Sequence, residues 1–313
     1  MIKNRLKNYE VKSIRKDLVF QFGDQHDGAI EFAGIVDRGI IDVGYFYGDS
    51  KPKNIIAVST QVGCPSKCSF CELGHKPFIR NLTSLEIYEQ VVMMLKQANE
   101  YGFGLEKLKH KVNYAKSGEP LLNPAFLEGL EKIAEFDFSY KVSTVFPKGN
   151  LSLQNFYKIA DFASHYPYPV QMQVSLISTS ENWRQKKAGI ELISFDSLRK
   201  AAGYWRGKNP GGRKINLSLI LTNDNPVNVN EVCRVFPPEL FRFRFRNYVP
   251  TEHGDEQKLE VISEEKFQGL LLLFKEKGYE VNTLASPTPI EMRFNLAANV
   301  TLNRYEKMIC RKY

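Results

Sequence analysis

Three cysteines close together in the first quarter of the chain are the residues best suited to chemistry. Cys64, Cys68 and Cys71 are spaced C-x3-C-x2-C within Val58–Gly74. Zinc sites usually have four protein ligands, often as two short-spaced pairs, and the sequence contains no second pair. Three thiolates on a cubane iron–sulfur cluster leave one iron open, so that a small molecule could bind there and react. The spacing therefore favours an open [4Fe–4S] site.

Two alternatives to a cluster remain open for these cysteines. They could form a disulfide and a leftover thiol in a secreted protein, or a zinc site completed by a distant histidine. The chain starts MIKNRLKNYEVK, which lacks the apolar core of a signal peptide, and its five cysteines are an odd number. We therefore expect a cytoplasmic protein, in which a labile cluster would be kept reduced.

The composition is that of a globular protein with a basic balance. The 313 residues are 43% apolar, and 43 Lys and Arg residues face 35 Asp and Glu residues, a net charge of +8. The sequence has no apolar run of about 18 residues, so we expect no membrane helix. The positive charge is consistent with an anionic partner such as RNA or a phosphorylated metabolite.

Apolar runs typical of strands alternate with helical patterns from Asn54 onward. The predicted strands are Ile55–Val62, Lys109–Ala115, Tyr140–Val145, Val170–Ile177, Ile215–Leu221 and Leu240–Val249. The predicted helices are Ser84–Tyr101, Ala125–Phe136, Leu153–His165, Phe195–Trp205, Val229–Phe236 and Ser263–Lys277. Six strand–helix units argue for parallel strands with right-handed crossovers, but are too few for a closed eight-stranded barrel. The predicted fold class is α/β, a partial (β/α)6 TIM-like barrel.

We divide the chain into three parts. Residues 1–53 form an N-terminal extension that begins with a polar stretch and contains a β-hairpin, formed by Ala29–Val36 and Ile40–Tyr47. Residues 54–285 form the partial barrel, and residues 286–313 form a C-terminal segment. In a parallel barrel the chemistry belongs at the carboxyl ends of the strands, and the cysteine loop directly follows the first parallel strand.

The loop after the second predicted strand carries a second motif. It reads Ser117-Gly118-Glu119-Pro120, where glycine lets the backbone approach a ligand and Glu119 can accept a hydrogen bond from an ammonium group. Together with the cysteine spacing and Phe70, this resembles the radical S-adenosylmethionine (SAM) superfamily. The runs FIRNLTSLEIYEQV and SGEPLLN are similar to one subfamily, the RlmN/Cfr-type methyltransferases that act on adenine in ribosomal RNA.

The resemblance implies a set of cofactors and the residues that hold them. Cys64, Cys68 and Cys71 would hold a [4Fe–4S] cluster whose open iron chelates SAM. By position in the motifs, the residues that would contact SAM are Gly118, Glu119, Ser143, Ser175 and Asn247. An electron donor such as flavodoxin or ferredoxin would reduce the cluster. We expect a monomer that does not bind a membrane.

Four departures from that family bear on the reaction. The family has a cysteine seven residues before the first cluster cysteine, where this chain has Ala57, and the usual histidine after the fourth-strand serine is replaced by Ile177. Cys310 stands where the family's methyl-carrying cysteine could be, but is equally consistent with an unreactive thiol. Only some 26 residues precede the hairpin, where the family carries an RNA-binding domain.

Three functions therefore remain. The main expectation is a radical SAM enzyme that modifies an anionic or polar small molecule or peptide by hydrogen abstraction. The alternative is an RlmN/Cfr-type RNA adenine methyltransferase that uses Cys310 as methyl carrier. A non-enzymatic protein that senses or binds through a cluster is disfavoured because Gly118-Glu119-Pro120 is kept.

Two further expectations concern single elements. In LFRFRFRN (240–247) the phenylalanines alternate with the arginines, so the two types share opposite faces of a strand. If Asn247 points at SAM, the phenylalanines face inward and the arginines face out on an open edge strand; the other possibility is that the arginines grip a phosphate or carboxylate. Cys233 is expected to be a small buried residue.

Overall fold

The structure of the chain is a computed structural model. It describes residues 2, 6–7, 9–22, 29–47, 53–102, 105, 109–283 and 302. The predicted C-terminal segment 286–313, with Cys310, lies outside the described residues except for Leu302.

The described strands form one ten-stranded sheet and a separate two-stranded ribbon. The strands are β1 (Arg15–Phe22), β2 (Ala29–Val36), β3 (Gly39–Tyr47), β4 (Lys53–Val58), β5 (Gln61–Val62), β6 (Arg80–Asn81), β7 (Lys109–Tyr114), β8 (Ser139–Thr144), β9 (Val170–Ser175), β10 (Ile215–Leu221), β11 (Phe241–Asn247) and β12 (Val281–Asn282). The large sheet has the order β1-β2-β3-β4-β7-β8-β9-β10-β11-β12, and β5 pairs with β6.

Helices follow most of the parallel strands. They are α1 (Ser84–Glu100), α2 (Phe126–Ile133), α3 (Asn150–His165), α4 (Glu181–Ala188), α5 (Phe195–Lys208), α6 (Val229–Val235), α7 (Glu252–Glu256) and α8 (Glu264–Glu276). α1 begins with a capping box, in which Thr83 and Glu86 each bond to the other's backbone N–H.

The sheet changes from antiparallel to parallel at β4. The first four strands run antiparallel in sequence order, and β4 then pairs parallel with β7. From β7 to β12 every neighbour is parallel. The six predicted parallel strands and the predicted hairpin are therefore present. Within the described residues the sheet is open, with β1 and β12 at its edges. The strand β1 was not predicted from the polar sequence around it.

The helices cover the apolar face of the parallel strands. Tyr114 of β7 meets Phe126 of α2, with ring centroids 4.7 Å apart, and Tyr140 of β8 meets Phe162 of α3 at 6.1 Å. On β11, Phe243 lies 4.8 Å from Phe274 of α8. The alternate residues of these strands face the other way, into the concave side of the sheet, and are mostly polar.

The expected orientation of β11 was wrong. Its phenylalanines are buried beneath helices, and Arg242, Arg244 and Arg246 are half-buried on the inner face. The expectation of an open edge was also wrong, because β12 pairs with β11 through Phe243 and Arg244. The apolar stripe of α8 requires an apolar partner, and the phenylalanine face of β11 supplies it.

The expected burial of Cys233 was wrong as well. The thiol is exposed, whereas Val232 and Val235 of the same helix are buried. α6 is only seven residues long, and its narrow buried face excludes the cysteine.

Phe274 offers a test of the packing between α8 and β11. It is fully buried and meets Phe243, Phe245 and Tyr279. We expect Phe274→Ala to lower the free energy of unfolding by about 3–5 kcal/mol, because it removes these contacts and leaves a cavity. The measurement is urea denaturation followed by circular dichroism.

Leu272→Ala, two residues earlier on the same helix, is the matched control. Leu272 is 59% exposed, so its loss should change the free energy of unfolding by no more than about 0.5 kcal/mol. Equal effects of the two substitutions would contradict this placement of α8.

Candidate functional site

The cysteine loop is closed at its base by the two-stranded ribbon. Gln61 pairs with Asn81 and Val62 with Arg80, so the ribbon joins the two ends of the loop. Gly63 has φ +73, and a Cβ there would lie 2.0 Å from the carbonyl oxygen of Pro77. Only glycine fits this close approach of the two limbs. The thiols are thus carried on a constrained loop at the carboxyl end of β4.

The far side of the loop is anchored to the end of α4. The N–H groups of Lys67 and Ser69 donate to the carbonyl oxygens of Ala188 and Lys187, at 3.0 and 2.9 Å. An apolar cluster beneath these bonds joins the loop to the ends of β8 and β9, and its buried members are Cys68, Val145, Ile177, Ala188 and Leu192. The loop is therefore held against the connections that follow β8 and β9.

Burial disfavours the charged form of the thiols. Cys64 and Cys68 are buried, and Cys71 is half-buried. Burial raises the pKa of Cys64 to about 12, with smaller contributions from Cys71 and Glu119, and raises the pKa of Cys68 well above its usual value. Three thiolates in this site would need a compensating positive charge, and iron supplies one.

The thiol positions do not form a ready-made metal site. Among the described residues, no group of three or more His, Cys, Asp or Glu side chains could hold a metal ion as placed. A cubane binds each thiolate through a different iron, so its ligands surround a larger body than a single ion. The role of Cys64, Cys68 and Cys71 as cluster ligands stays a prediction.

Glu119 lies beside this loop, in the connection that follows β7. Its carboxylate is buried and accepts from Thr144 Oγ1 at 2.5 Å, from the N–H of Val145 at 2.9 Å and from the N–H of Leu121 at 3.1 Å. Burial is the largest effect on this group and raises the pKa of Glu119 to about 7, although these hydrogen bonds lower it. A carboxylate has about four acceptor positions, so one remains for an ammonium group.

Gly118 brings the backbone of this connection against the start of the cysteine loop. Its φ is +110, and a Cβ would lie 2.6 Å from Thr60 Oγ1 and 2.7 Å from Gln61 Cβ. The N–H of Glu119 donates to Gln61 Oε1 at 2.7 Å. The structure thus brings the predicted residues Gly118 and Glu119 next to the predicted metal loop.

A buried charged group behind Ser117 was not predicted. Asp42 of β3 accepts from the hydroxyls of Ser59 and Ser117, at 3.0 and 2.9 Å. Lys116 forms ion pairs with Asp42, at 3.5 Å, and with Glu31 of β2. Burial raises the pKa of Asp42. The signal was present in the sequence, because single acidic residues interrupt both apolar strands of the hairpin.

The other predicted SAM contacts lie at or near the carboxyl ends of their strands. Ser143 and Ser175 are half-buried on the inner face, and Ser143 accepts from Gln173 Nε2 at 3.5 Å. Asn247 is exposed at the end of β11 and is paired with Leu221. Ser143 lies on the strand that also supplies Thr144 to Glu119, whereas Asn247 lies three strands further along the sheet.

Two bulky residues near these strand ends have left-handed backbones. Phe146, two residues after β8, has φ +58, and Ile177, two residues after β9, has φ +69. Both are buried, and a β-branched residue in this region costs about 1–3 kcal/mol. Strained residues of this kind are commonest at functional sites, so these two adjacent strand ends are consistent with the predicted site at this edge.

Ala57 and Leu302 concern the two positions at which the resembled family carries cysteines outside the cluster loop. Ala57 occupies one of them, and Leu302 precedes the other. Ala57 is buried in β4 and is in register with Asn113, whose side chain belongs to the inner face. The position thus faces the inner side of the sheet and carries no thiol. Leu302, the one described residue of the C-terminal segment, is buried against Cys64 and Leu73 of the cysteine loop.

No helix in the described part of the chain has the length and apolar character needed to traverse a lipid bilayer.

The sequence is similar to curated RNA methyltransferases. It is 27% identical over 205 residues to a probable dual-specificity RNA methyltransferase RlmN of Chlorobaculum tepidum, covering 64% of this chain and 53% of that relative. It is 26% identical over 277 residues to the RlmN of Saccharophagus degradans, covering 86% and 67%. A shorter stretch of 100 residues is 41% identical to a probable RlmN of Thermotoga maritima, covering 31% and 26%. No protein-family model matches the chain.

The fold is that of a known radical SAM protein. A radical SAM methyltransferase from Sphaerobacter thermophilus superposes with a TM-score of 0.70 at 19% identity, over 91% of this chain and 80% of the other. Streptococcus suis SuiB bound to S-adenosylmethionine superposes with a TM-score of 0.52 at 15% identity, over 75% and 51%. These similarities confirm the predicted fold class and the resemblance to RlmN-type proteins. The chain spans about half the length of the first relative and two thirds of the second.

Gly118 gives a direct test of the contact between the two loops. We expect Gly118→Ala to lower the free energy of unfolding by about 1–3 kcal/mol, because alanine is strained at this φ and its Cβ would meet Thr60 and Gln61. Thermal and urea denaturation measure the change.

Gly203→Ala is the matched control in a helix away from the two loops. Gly203 lies inside α5, is exposed and has open space where a Cβ would be. This substitution should raise the free energy of unfolding by about 0.5–1 kcal/mol. The described contact is contradicted if Gly118→Ala is as stable as Gly203→Ala.

Proposed function

We propose that this chain is a radical SAM methyltransferase of the RlmN type that acts on RNA. The observation that supports it most is the contact between the cysteine loop and the Gly118-Glu119 connection, both at the carboxyl edge of the parallel sheet. The named relatives support the methyltransferase alternative better than the modification of a small molecule or peptide.

The donor set fits the two cofactors. Cys64, Cys68 and Cys71 offer three thiols and leave one position of a cubane open, and Glu119 offers a buried carboxylate with an acceptor position left. When bound and supplied with one electron, the cluster and SAM together provide a 5′-deoxyadenosyl radical. A cytoplasmic location and a donor such as flavodoxin or ferredoxin would suit this chemistry.

The protein's own residues orient SAM and keep water away. Glu119 would accept from the ammonium group, and Gly118 lets the backbone approach without a side chain. Ser143 and Ser175 would offer hydroxyls from β8 and β9, the strands on the same side as Glu119. Val145, Ile177 and the other apolar residues around Cys68 would exclude water from the reacting carbon.

Cys310 is the proposed methyl carrier. Leu302 contacts Cys64 in a buried cluster, and eight further residues reach Cys310. Eight extended residues span up to about 28 Å, so the chain beyond Leu302 is long enough for Cys310 to lie anywhere around Cys64 within that reach. The thiol would accept a methyl group from one SAM before the radical step.

Ala57 supports a second candidate, hydrogen abstraction from a small molecule or peptide. The relatives' type of reaction ends with a covalent adduct between protein and substrate, and a thiol at this position would help to release it. Alanine cannot act in that way. In this second reaction Cys310 would donate a hydrogen atom or take no part.

Product analysis separates the two candidates. Reconstituted, reduced protein is incubated with SAM and assayed for 5′-deoxyadenosine, S-adenosylhomocysteine and a one-methyl mass increase on the peptide containing Cys310. The methyltransferase gives S-adenosylhomocysteine and a methylated Cys310, whereas simple hydrogen abstraction gives 5′-deoxyadenosine alone.

Two cysteine variants control the assay. Cys310→Ala should abolish formation of S-adenosylhomocysteine, and Cys233→Ala should leave it unchanged because Cys233 is exposed on α6, away from the loop. Replacing Cys64, Cys68 and Cys71 together by alanine should remove the iron–sulfur absorbance. Protein that forms neither product from SAM would refute the enzyme altogether.

The pKa of Glu119 predicts how SAM binding depends on pH. In protein without SAM the carboxyl has a pKa of about 7, so at lower pH it is mostly protonated and must lose its proton to accept an ammonium group. As the pH rises towards 7, the affinity for SAM should therefore increase by up to about tenfold per pH unit, and it should level off above pH 7. The amino group of SAM itself loses its proton only at about pH 8. Equilibrium dialysis between about pH 5.5 and 7.5 measures this.

Two glutamate variants test the assignment. Glu119→Gln should bind SAM weakly at every pH, with little slope, because it cannot ionise. Glu128→Gln should keep the wild-type slope, since Glu128 is exposed on α2 and pairs with Lys132. An unchanged slope in Glu119→Gln would assign the titration to another group.

A further inference from the structure

The inner face of the parallel strands is built from rows of polar side chains. Ser143, Gln173, Asn216 and Arg242 are in register across β8 to β11. Gln173 donates to Ser143 at 3.5 Å, and Asn216 donates to Gln173 Oε1 at 3.3 Å. Arg242 reaches past β10 and donates to Gln171 Oε1 of β9 at 2.8 Å. The row is a connected hydrogen-bonded layer.

The first row contains the predicted SAM contact Ser143, and the next row towards the carboxyl ends contains a second one, Ser175. Ser175, Ser218 and Arg244 are in register across β9, β10 and β11. Arg246 lies two residues further along β11, opposite Ile220. Successive inward arginines are thus about 6.6 Å apart, and they form a column that rises from the inside of the sheet to its carboxyl edge.

Every charged residue at an inward position of β7 to β11 is basic. The inward positions of β7 to β11, which the structure describes in full, include Lys111, Lys141 and the three arginines, and none of them is Asp or Glu. Glu280, just before β12, is an acidic group near Arg242 and is also bonded to Lys214. The concave side of the sheet therefore attracts an anionic group.

The arginine column lies beside the proposed SAM site on the inner face of the sheet. The proposed SAM contacts on this face begin at Glu119 and extend to Ser175 on β9. Asn247, the remaining predicted contact, shares the face of the phenylalanines at the end of β11, opposite to the arginines. Arg244 is two strands beyond Ser175, a distance of about 10 Å. The inner face of β10 and β11 is thus placed to receive the second reactant.

We propose that Arg244 and Arg246 bind a phosphate group of the substrate nucleotide, with Arg242 and its partner Gln171 supporting the column from below. This inference rests on the proposed function, because it takes the substrate to be a nucleotide unit of RNA. The planar guanidinium forms paired hydrogen bonds to phosphate oxygens, and its five N–H donors let it hold contacts within the protein and a ligand together.

Arginine is a costly residue for the inside of an α/β sheet. Burial lowers the pKa of Arg242, with Arg213 as a further cause, and its Nε is buried without a hydrogen-bond partner. The outer face of the same strand is wholly apolar up to Asn247. A bound anion beside Arg242 would offset this cost of burial.

The test compares phosphate-bearing probes with their uncharged counterparts. The reconstituted 313-residue chain is titrated, at fixed ionic strength, with a fluorescein-labelled single-stranded oligoadenylate, and AMP and adenosine are then added as competitors. We expect AMP to compete at least tenfold better than adenosine, since adenosine lacks the phosphate. Competition by unlabelled oligoadenylate but not by AMP would show that the site binds a phosphate within a polymer. Equal competition by AMP and adenosine, with unchanged binding in the arginine variants, would overturn the site.

Three variants assign the binding to the column. Arg244→Gln and Arg246→Gln should each weaken oligoadenylate binding by about tenfold or more, and Arg244→Lys should weaken it less, because the charge remains but the paired geometry is lost. Arg199→Gln is the control for net charge: Arg199 is half-exposed on α5 and pairs with Asp196, so binding should be unchanged. Circular dichroism and cluster absorbance show whether each variant folds. If Arg244→Gln does not fold, the test rests on Arg246→Gln, which lies near the end of its strand.

The outcome is separable from that of the proposed function. If the variants and Arg199→Gln all bind oligoadenylate as the wild type does, the arginine column is not a phosphate site, whatever SAM chemistry is observed. The wild-type protein could instead neither cleave nor demethylate SAM, while Arg244→Gln and Arg246→Gln weaken oligoadenylate binding. That result would support the phosphate site and refute the proposed enzyme activity.

Discussion

The contact between the loops that follow β4 and β7 is the constraint on which the proposed site depends. The N–H groups of Thr60 and Gln61 both donate to the carbonyl oxygen of Ser117, at 2.8 and 3.2 Å, and the Gln61 side chain returns a bond to the N–H of Glu119. Because Gly118 adds no side chain between them, the two backbones meet directly. The distance from the cysteine loop to the Glu119 carboxylate is thereby fixed by main-chain geometry rather than by mobile side chains.

The antiparallel strands before the barrel support this contact from behind. Asp42 of β3 bonds to both Ser59 and Ser117, one residue ahead of each side of the contact. A buried carboxylate is expensive unless it is paired, and Lys116 compensates Asp42 together with Glu31. Removing Lys116 would take the shared cation from both buried carboxylates, so the N-terminal hairpin and the site are coupled energetically.

The sequence predicted the elements better than their faces. Apolar periodicity identified the parallel strands and helices, and the cysteine spacing with Gly118-Glu119 identified two adjoining loops. The alternation in β11 showed two faces but could not say which one the helices cover, because that depends on α8 and β12, which are distant in sequence. The burial predicted for Cys233 was wrong for a related reason, because a seven-residue helix has too few residues for an apolar pattern to define its buried side. The Asp42–Lys116 pair joins residues 74 positions apart, and no local pattern reports such a partner.

The orientation of β11 changes the chemical character of the whole concave side. With phenylalanines inward, the space beside the proposed SAM site would be apolar and would suit a hydrophobic substrate. With arginines inward, the same space is positively charged and in register with the serines of β9 and β10. The helices fix this choice, because the apolar face of α8 must be covered and only one face of β11 can cover it. Packing on the outside of the barrel thus determines which substrates the inside can attract.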